Sequence, residues 1–99
     1  MSNVIEFATF NLKKGVSIPD FLIVSEKFHN EFLSTQKGYV SCKLLANEKG
    51  WADLVIWETM EDAKNAVKEF YKSSLAHEYA SFMEENIGDL FHFSVEKSY

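Results

Sequence analysis

The chain has no arginine, one cysteine and one proline in 99 residues. Each scarcity narrows the field. Without a guanidinium there is no bidentate clamp for phosphate or carboxylate, which argues against nucleotides and strongly anionic substrates. The ten basic residues are all lysine, scattered among fifteen acidic ones for a net charge of −5. No basic stripe exists to hold a nucleic acid. Cys42 alone cannot make an intramolecular disulfide, so a reducing, cytoplasmic setting is expected. Long apolar runs are also missing, which predicts no membrane span, and the opening MSNVIEFATF carries neither part of a secretory leader. Gly-rich phosphate loops and nucleophile elbows are absent. The three histidines, His29, His77 and His92, show no HxH or HExxH spacing, so no metal and no other cofactor is expected.

What is present is a core. Hydrophobic residues make up 46% of the chain and aromatic residues 15%, enough for one domain spanning residues 1–99. NVIEFATFNL (3–12) reads as a strand closed by Lys14-Gly15. Pro19 and Asp20 open a helix that carries Phe21, Val24, Phe28 and Phe32 on one face to about Gln36. Strands follow at 39–46 and 51–58. Thr59 caps a second helix, with Asp62 three residues on and Ala63, Ala66, Val67 and Phe70 along its apolar face. Ser73-Ser74 interrupts that unit. Leu75, Tyr79, Phe82 and Met83 continue it to about Asn86, and Ile87-Gly88 leads into a last strand at 89–96. The order βαββαβ implies an α+β, ferredoxin-like fold: a four-stranded antiparallel sheet with helices on one face.

One letter breaks the third strand. In WADLVIWE (51–58) Asp53 stands among Trp51, Leu54, Val55, Ile56 and Trp57, and a buried carboxylate is costly unless satisfied. A three-residue hairpin loop ending in Gly50 would pair Leu44 with Leu54, Cys42 with Ile56 and Ala46 with Ala52. That set is uniformly apolar and is expected under the helices. Asp53, Val55 and Trp57 would then share the opposite face with Tyr39, Ser41, Lys43 and Leu45, joined by His92 from the last strand and by Glu6 and Phe10 from the first. Lys43 would lie diagonally across from Asp53 and pair with it. A half-apolar face left without helices predicts a homodimer formed sheet to sheet through Tyr39, Val55 and Trp57, with a partly polar cavity between sheet and helices.

Over its whole length the chain resembles the antibiotic-biosynthesis-monooxygenase-like family of the dimeric α/β-barrel superfamily. The resemblance rests on the first strand running into "LKKG", on "DFL", "KGYVSCKLL", "DLVIWETMEDAKNA" and "HEYASFM", with Trp57-Glu58 the most specific piece. It implies a dimeric α/β barrel with a small-molecule pocket in each subunit. It also implies a cofactor-independent monooxygenase that acts on a small aromatic, quinol or polyketide-like compound, deprotonating it so that the carbanion reacts with dioxygen. The arginine of some members has no counterpart. In the haem-degrading branch an asparagine would stand where Ala8 does, which makes that branch the weaker match. Asp53, Trp57 and His77 are the candidate catalytic residues, and Glu6, Phe10, Tyr39, Lys43, Val55 and His92 the candidate substrate-binding ones. The other reading is a non-catalytic dimeric module that binds a hydrophobic ligand.

Overall fold

The computed structural model describes residues 3–85 and 88–99. Four strands, β1 (Val4–Phe10), β2 (Tyr39–Asn47), β3 (Gly50–Trp57) and β4 (Leu90–Ser94), form one antiparallel sheet in the order β2-β3-β1-β4. Helices α1 (Ile18–Glu31), α2 (Met60–Phe70) and α3 (Ser74–Ala80) pack on one side of it, completing the ferredoxin-like α+β arrangement. No helix among the described residues is long and apolar enough to cross a membrane.

Each helix starts where a hydroxyl can satisfy an orphan backbone N–H. Ser17 accepts from Asp20, Thr59 from Asp62 and Ser73 from Ala76, at 3.1, 3.0 and 3.2 Å. The first helix ends sooner than its apolar pattern predicts. Ser34 and Thr35 donate their hydroxyls to the carbonyls of Asn30 and Phe32, and the chain tightens into a 3₁₀ turn over Leu33–Thr35. The third helix likewise stops at Ala80 rather than near Asn86. Beyond it, Phe82 and Glu84 hydrogen-bond to the segment after β1, through Lys13 N–H and the Asn11 carbonyl, and Leu12 bridges Met83. Asn86 and Ile87 lie outside the described residues.

The β2–β3 hairpin departs from its expected register by one residue. Leu44 faces Asp53, Cys42 faces Val55 and Ala46 faces Trp51, across a two-residue turn made by Glu48 and Lys49. The Asn47 side chain sets that turn, its Oδ1 accepting from the backbone N–H of Lys49 at 2.8 Å and of Gly50 at 3.1 Å. Gly50 is therefore the first strand residue and not the end of the loop. A Cβ there would displace the Asn11 side-chain amide and press on the Phe10 carbonyl.

The slip reverses every facing argument that depended on it. Asp53, Val55 and Trp57 point under the helices, not away from them, and Val55 and Trp57 are fully buried. Lys43 stands opposite Leu54 on the other face, exposed and turned away from Asp53. Tyr39 does keep company with Trp57, because a bulge between Tyr39 and Ser41 inserts Val40 and changes the parity of β2. The side without helices carries Ile5, Phe7, Leu54, Ile56, Phe91 and Phe93, paired across β3, β1 and β4. The dimer surface expected through Tyr39, Val55 and Trp57 is thus interior, and the apolar face left open is this other one.

Candidate functional site

The core under the helices is aromatic. Phe28 of α1 stacks on Tyr79 of α3 with ring centres 4.3 Å apart and planes 6° from parallel, and Phe21 stacks on the same tyrosine at 5.5 Å. Beside this stack a cavity of about 290 Å³ separates sheet from helices, lined among others by Glu6, Phe28, Asp53, Trp57, Phe70 and Tyr79. Its volume lies at the small end of the range for ligand pockets. A shallower hollow of about 440 Å³ at the hairpin end holds no ionisable side chain except Lys49 and none of the candidate catalytic residues.

Asp53 has partners that sequence spacing did not reveal, one oxygen hydrogen-bonded and the other in ion-pair contact without an aligned hydrogen bond. Its Oδ2 accepts from the Tyr79 hydroxyl at 2.9 Å, and its Oδ1 lies 3.4 Å from His29 Nε2. His29 in turn donates Nδ1–H to the Ser25 carbonyl at 2.6 Å, one turn back on α1. A carbonyl can only accept, so this bond fixes the proton on Nδ1 and aims Nε2 at the carboxylate. Burial works against a charged imidazole here. The approach and charge of Asp53, the Cys42 thiol and the Ser25 carbonyl outweigh it and hold the ring up at about 10. At neutral pH the His29 ring is therefore held as imidazolium. Burial, reinforced by the Asp53 charge, pushes the Tyr79 hydroxyl well above the usual phenol range, so it stays a donor.

Glu6 forms a second polar centre on the cavity wall. His92, its neighbour across β1 and β4, places Nε2 2.9 Å from Oε1. Burial raises the Glu6 carboxyl above its ordinary value. The hydrogen bond and charge of His92 oppose that rise, the charge of Asp53 adds to it, and the approach of the Trp57 N–H opposes it slightly. A half-buried carboxyl with a raised pKa is suited to moving a proton.

Trp57 completes the wall. Its ring is fully buried, and its Nε1–H is buried with no hydrogen-bond partner. An orphan donor in an apolar setting costs about 1–3 kcal/mol, so such groups ask for an explanation.

The structure brings Glu6, Phe10, Asp53, Val55 and Trp57 together around the cavity, with His92 behind Glu6 and Tyr39 edge-on to Trp57. It leaves two expected residues out. Lys43 is on the opposite face, and His77 is exposed on α3 with Nε2 3.0 Å from the Tyr71 carbonyl. His29 and Tyr79 were missed as partners of Asp53, the histidine weighed for metal spacing and the tyrosine placed along the helical stripe with Leu75, Phe82 and Met83. A signal existed nonetheless: both are polar-tipped residues beside the buried stripes of α1 and α3, and a buried carboxylate needs such tips.

No protein-family model matches the sequence, and no curated protein is similar to it. Solved structures share the fold over nearly the whole chain. A point variant of the cofactor-independent oxygenase SnoaB of Streptomyces nogalater superposes with a TM-score of 0.77 at 14% identity, over 99% of this chain and 97% of that one. The monooxygenase ActVA-Orf6 of Streptomyces coelicolor, solved in complex with nanaomycin D, gives 0.73 at 11% identity, over 99% and 91%. A candidate antibiotic biosynthesis monooxygenase of Bordetella bronchiseptica gives 0.67 at 17%, over 94% and 96%. The chain has the fold of antibiotic-biosynthesis-monooxygenase-like proteins.

Proposed function

We propose that the cavity binds one small, flat aromatic or polyketide-like molecule bearing an acidic hydroxyl or enol. On this reading the protein oxidises that molecule with dioxygen and no bound cofactor. The unpaired Trp57 Nε1–H is the observation that carries the reading. It is a buried donor with no aligned acceptor, close to the Glu6 carboxyl, where a ligand oxygen placed beside that carboxyl would complete its bond. Glu6, its pKa raised by burial, takes the proton from the substrate, and His92 steadies the carboxylate that receives it. The resulting carbanion adds dioxygen, and the peroxide loses water to leave a carbonyl. One substrate CH₂ and one O₂ thus become one C=O and one H₂O. Phe28, Phe70 and Val55 hold the ring system in a dry site, where charge interactions are strong. Asp53 serves in this reading by pairing with His29 and Tyr79, which ties α1 and α3 to the sheet.

The fold of an oxygenase supports the reaction class only as analogy. The site therefore has to be tested directly. With an anthrone or a hydroquinone as substrate, oxygen-electrode traces should show consumption that Glu6→Gln abolishes, while quenching of tryptophan fluorescence shows that the variant still binds. Binding without oxygen consumption by the wild-type protein would identify the non-catalytic ligand-binding module instead. We also propose that two copies assemble through the open apolar face of Phe7, Ile56, Phe91 and Phe93, since no helix covers it.

A further inference from the structure

Three donors of different kinds converge beneath α1: His29 from the helix, Cys42 from β2 and Asp53 from β3. Their ligand atoms all lie within 4.8 Å of one another. We propose that they form a three-ligand site for a transition-metal ion of the zinc class. This goes beyond the oxygenase reading, whose proton chemistry uses Glu6 and Trp57 and needs no metal.

The first argument is two orphaned atoms. His29 Nε2 and Asp53 Oδ1 are both buried, and neither has a hydrogen-bond partner. They stand 3.4 Å apart, facing each other without the alignment of a hydrogen bond. Two ligands bound tetrahedrally at roughly 2.0–2.1 Å from zinc are separated by about 3.3–3.4 Å, so the pair already has the spacing of adjacent ligands. The second argument is the far end of each ligand. His29 Nδ1–H is tied to the Ser25 carbonyl and Asp53 Oδ2 to the Tyr79 hydroxyl. Such outer bonds orient metal-binding histidines and carboxylates, so that a metal ion displacing the Nε2 proton meets one aimed lone pair on each.

The donor set selects the ion. Thiolate and imidazole favour zinc, cobalt or copper over magnesium and calcium, which prefer all-oxygen cages. A thiolate, a carboxylate and a divalent cation sum to zero charge, which suits burial. Cys42 is only half-buried, so its side chain can rotate to close the set, and three protein ligands leave the fourth position to water. The ion would replace the proton now held between His29 and Asp53.

The test is a titration of chelator-treated protein with cobalt(II) near neutral pH. The expected result is saturation at one equivalent, with a thiolate-to-cobalt charge-transfer band in the near ultraviolet and tetrahedral d–d bands in the visible, all displaced by zinc. Cys42→Ser, a near-isosteric change that should preserve the fold by circular dichroism, removes the charge-transfer band and weakens cobalt binding at least tenfold. His29→Gln weakens it further. Glu6→Gln leaves the spectrum unchanged even where it abolishes oxygen consumption, so this proposal and the oxygenase reading fail separately. Wild-type protein without a charge-transfer band, or bands that survive Cys42→Ser, would overturn the site.

Discussion

On the helix side of the sheet, alternate residues of β1 and β3 are Val4, Glu6, Ala8 and Phe10, and Trp51, Asp53, Val55 and Trp57. On the other side the same strands present Ile5, Phe7 and Thr9, and Ala52, Leu54 and Ile56. The covered face holds two carboxylates, both with histidine neighbours, while the uncovered face of these strands has no charge at all. A sheet with a single role would bury the apolar set and expose the mixed one. On the proposed reading the inversion separates two tasks: the polar groups stay inside because a site needs them dry, and the apolar groups stay outside for a second copy to cover.

The sharpest way to break this contrast is Asp53→Ala. It strands the His29 imidazole and the Tyr79 hydroxyl in the core, and stability should fall by roughly 3–5 kcal/mol in urea denaturation. A loss under about 1 kcal/mol would mean that water already reaches the pair. A lysine at Ile56 attacks the other face. It should raise the dimer dissociation constant at least about a hundredfold, as an unpaired charge enters an apolar interface. Sedimentation equilibrium should then show 11.4 kDa, where the wild-type protein is expected to show twice that mass. A wild-type protein already monomeric at micromolar concentration would remove the reason offered for the uncovered face.

Trp57→Phe sharpens the contrast more gently. The ring is largely kept but the orphan donor is lost, so affinity for a quinol ligand should fall about tenfold by calorimetry, the worth of one hydrogen bond. The smallest effect is in pH. The folded pKa of Glu6 is raised above 4.5 by burial, so the stability tied to its protonated form is complete below that value and is lost as pH rises through the folded one. Melting temperatures of wild type and Glu6→Gln should therefore diverge as pH is raised from 4.5, with the variant gaining relative to wild type.

Element order, the Thr59 cap and the broken second helical unit were legible in the sequence, because each depends on neighbours a few residues away. The grouping of Asp53, Val55 and Trp57 with Glu6, Phe10 and His92 was legible too, since alternation along a strand fixes it. Which side that group faces was not. A purely apolar alternative looked like the better core, and the Asn47 side chain, not the glycine, decided the loop length. The His29–Asp53–Tyr79 contacts span 24 and 26 residues, and no local periodicity encodes such pairs.

That Asn47 turn also bears on how the protein can change over generations. Strand side chains alternate with period two, so one residue inserted beside Glu48 and Lys49, if β2 and the turn geometry held, would exchange the two sets along β3. Leu54 and Ile56 would enter the core, Asp53 would reach solvent, and a chain of nearly the same composition would become an inert scaffold. An insertion at the turn is thus a short route by which a descendant of this chain would lose the pocket.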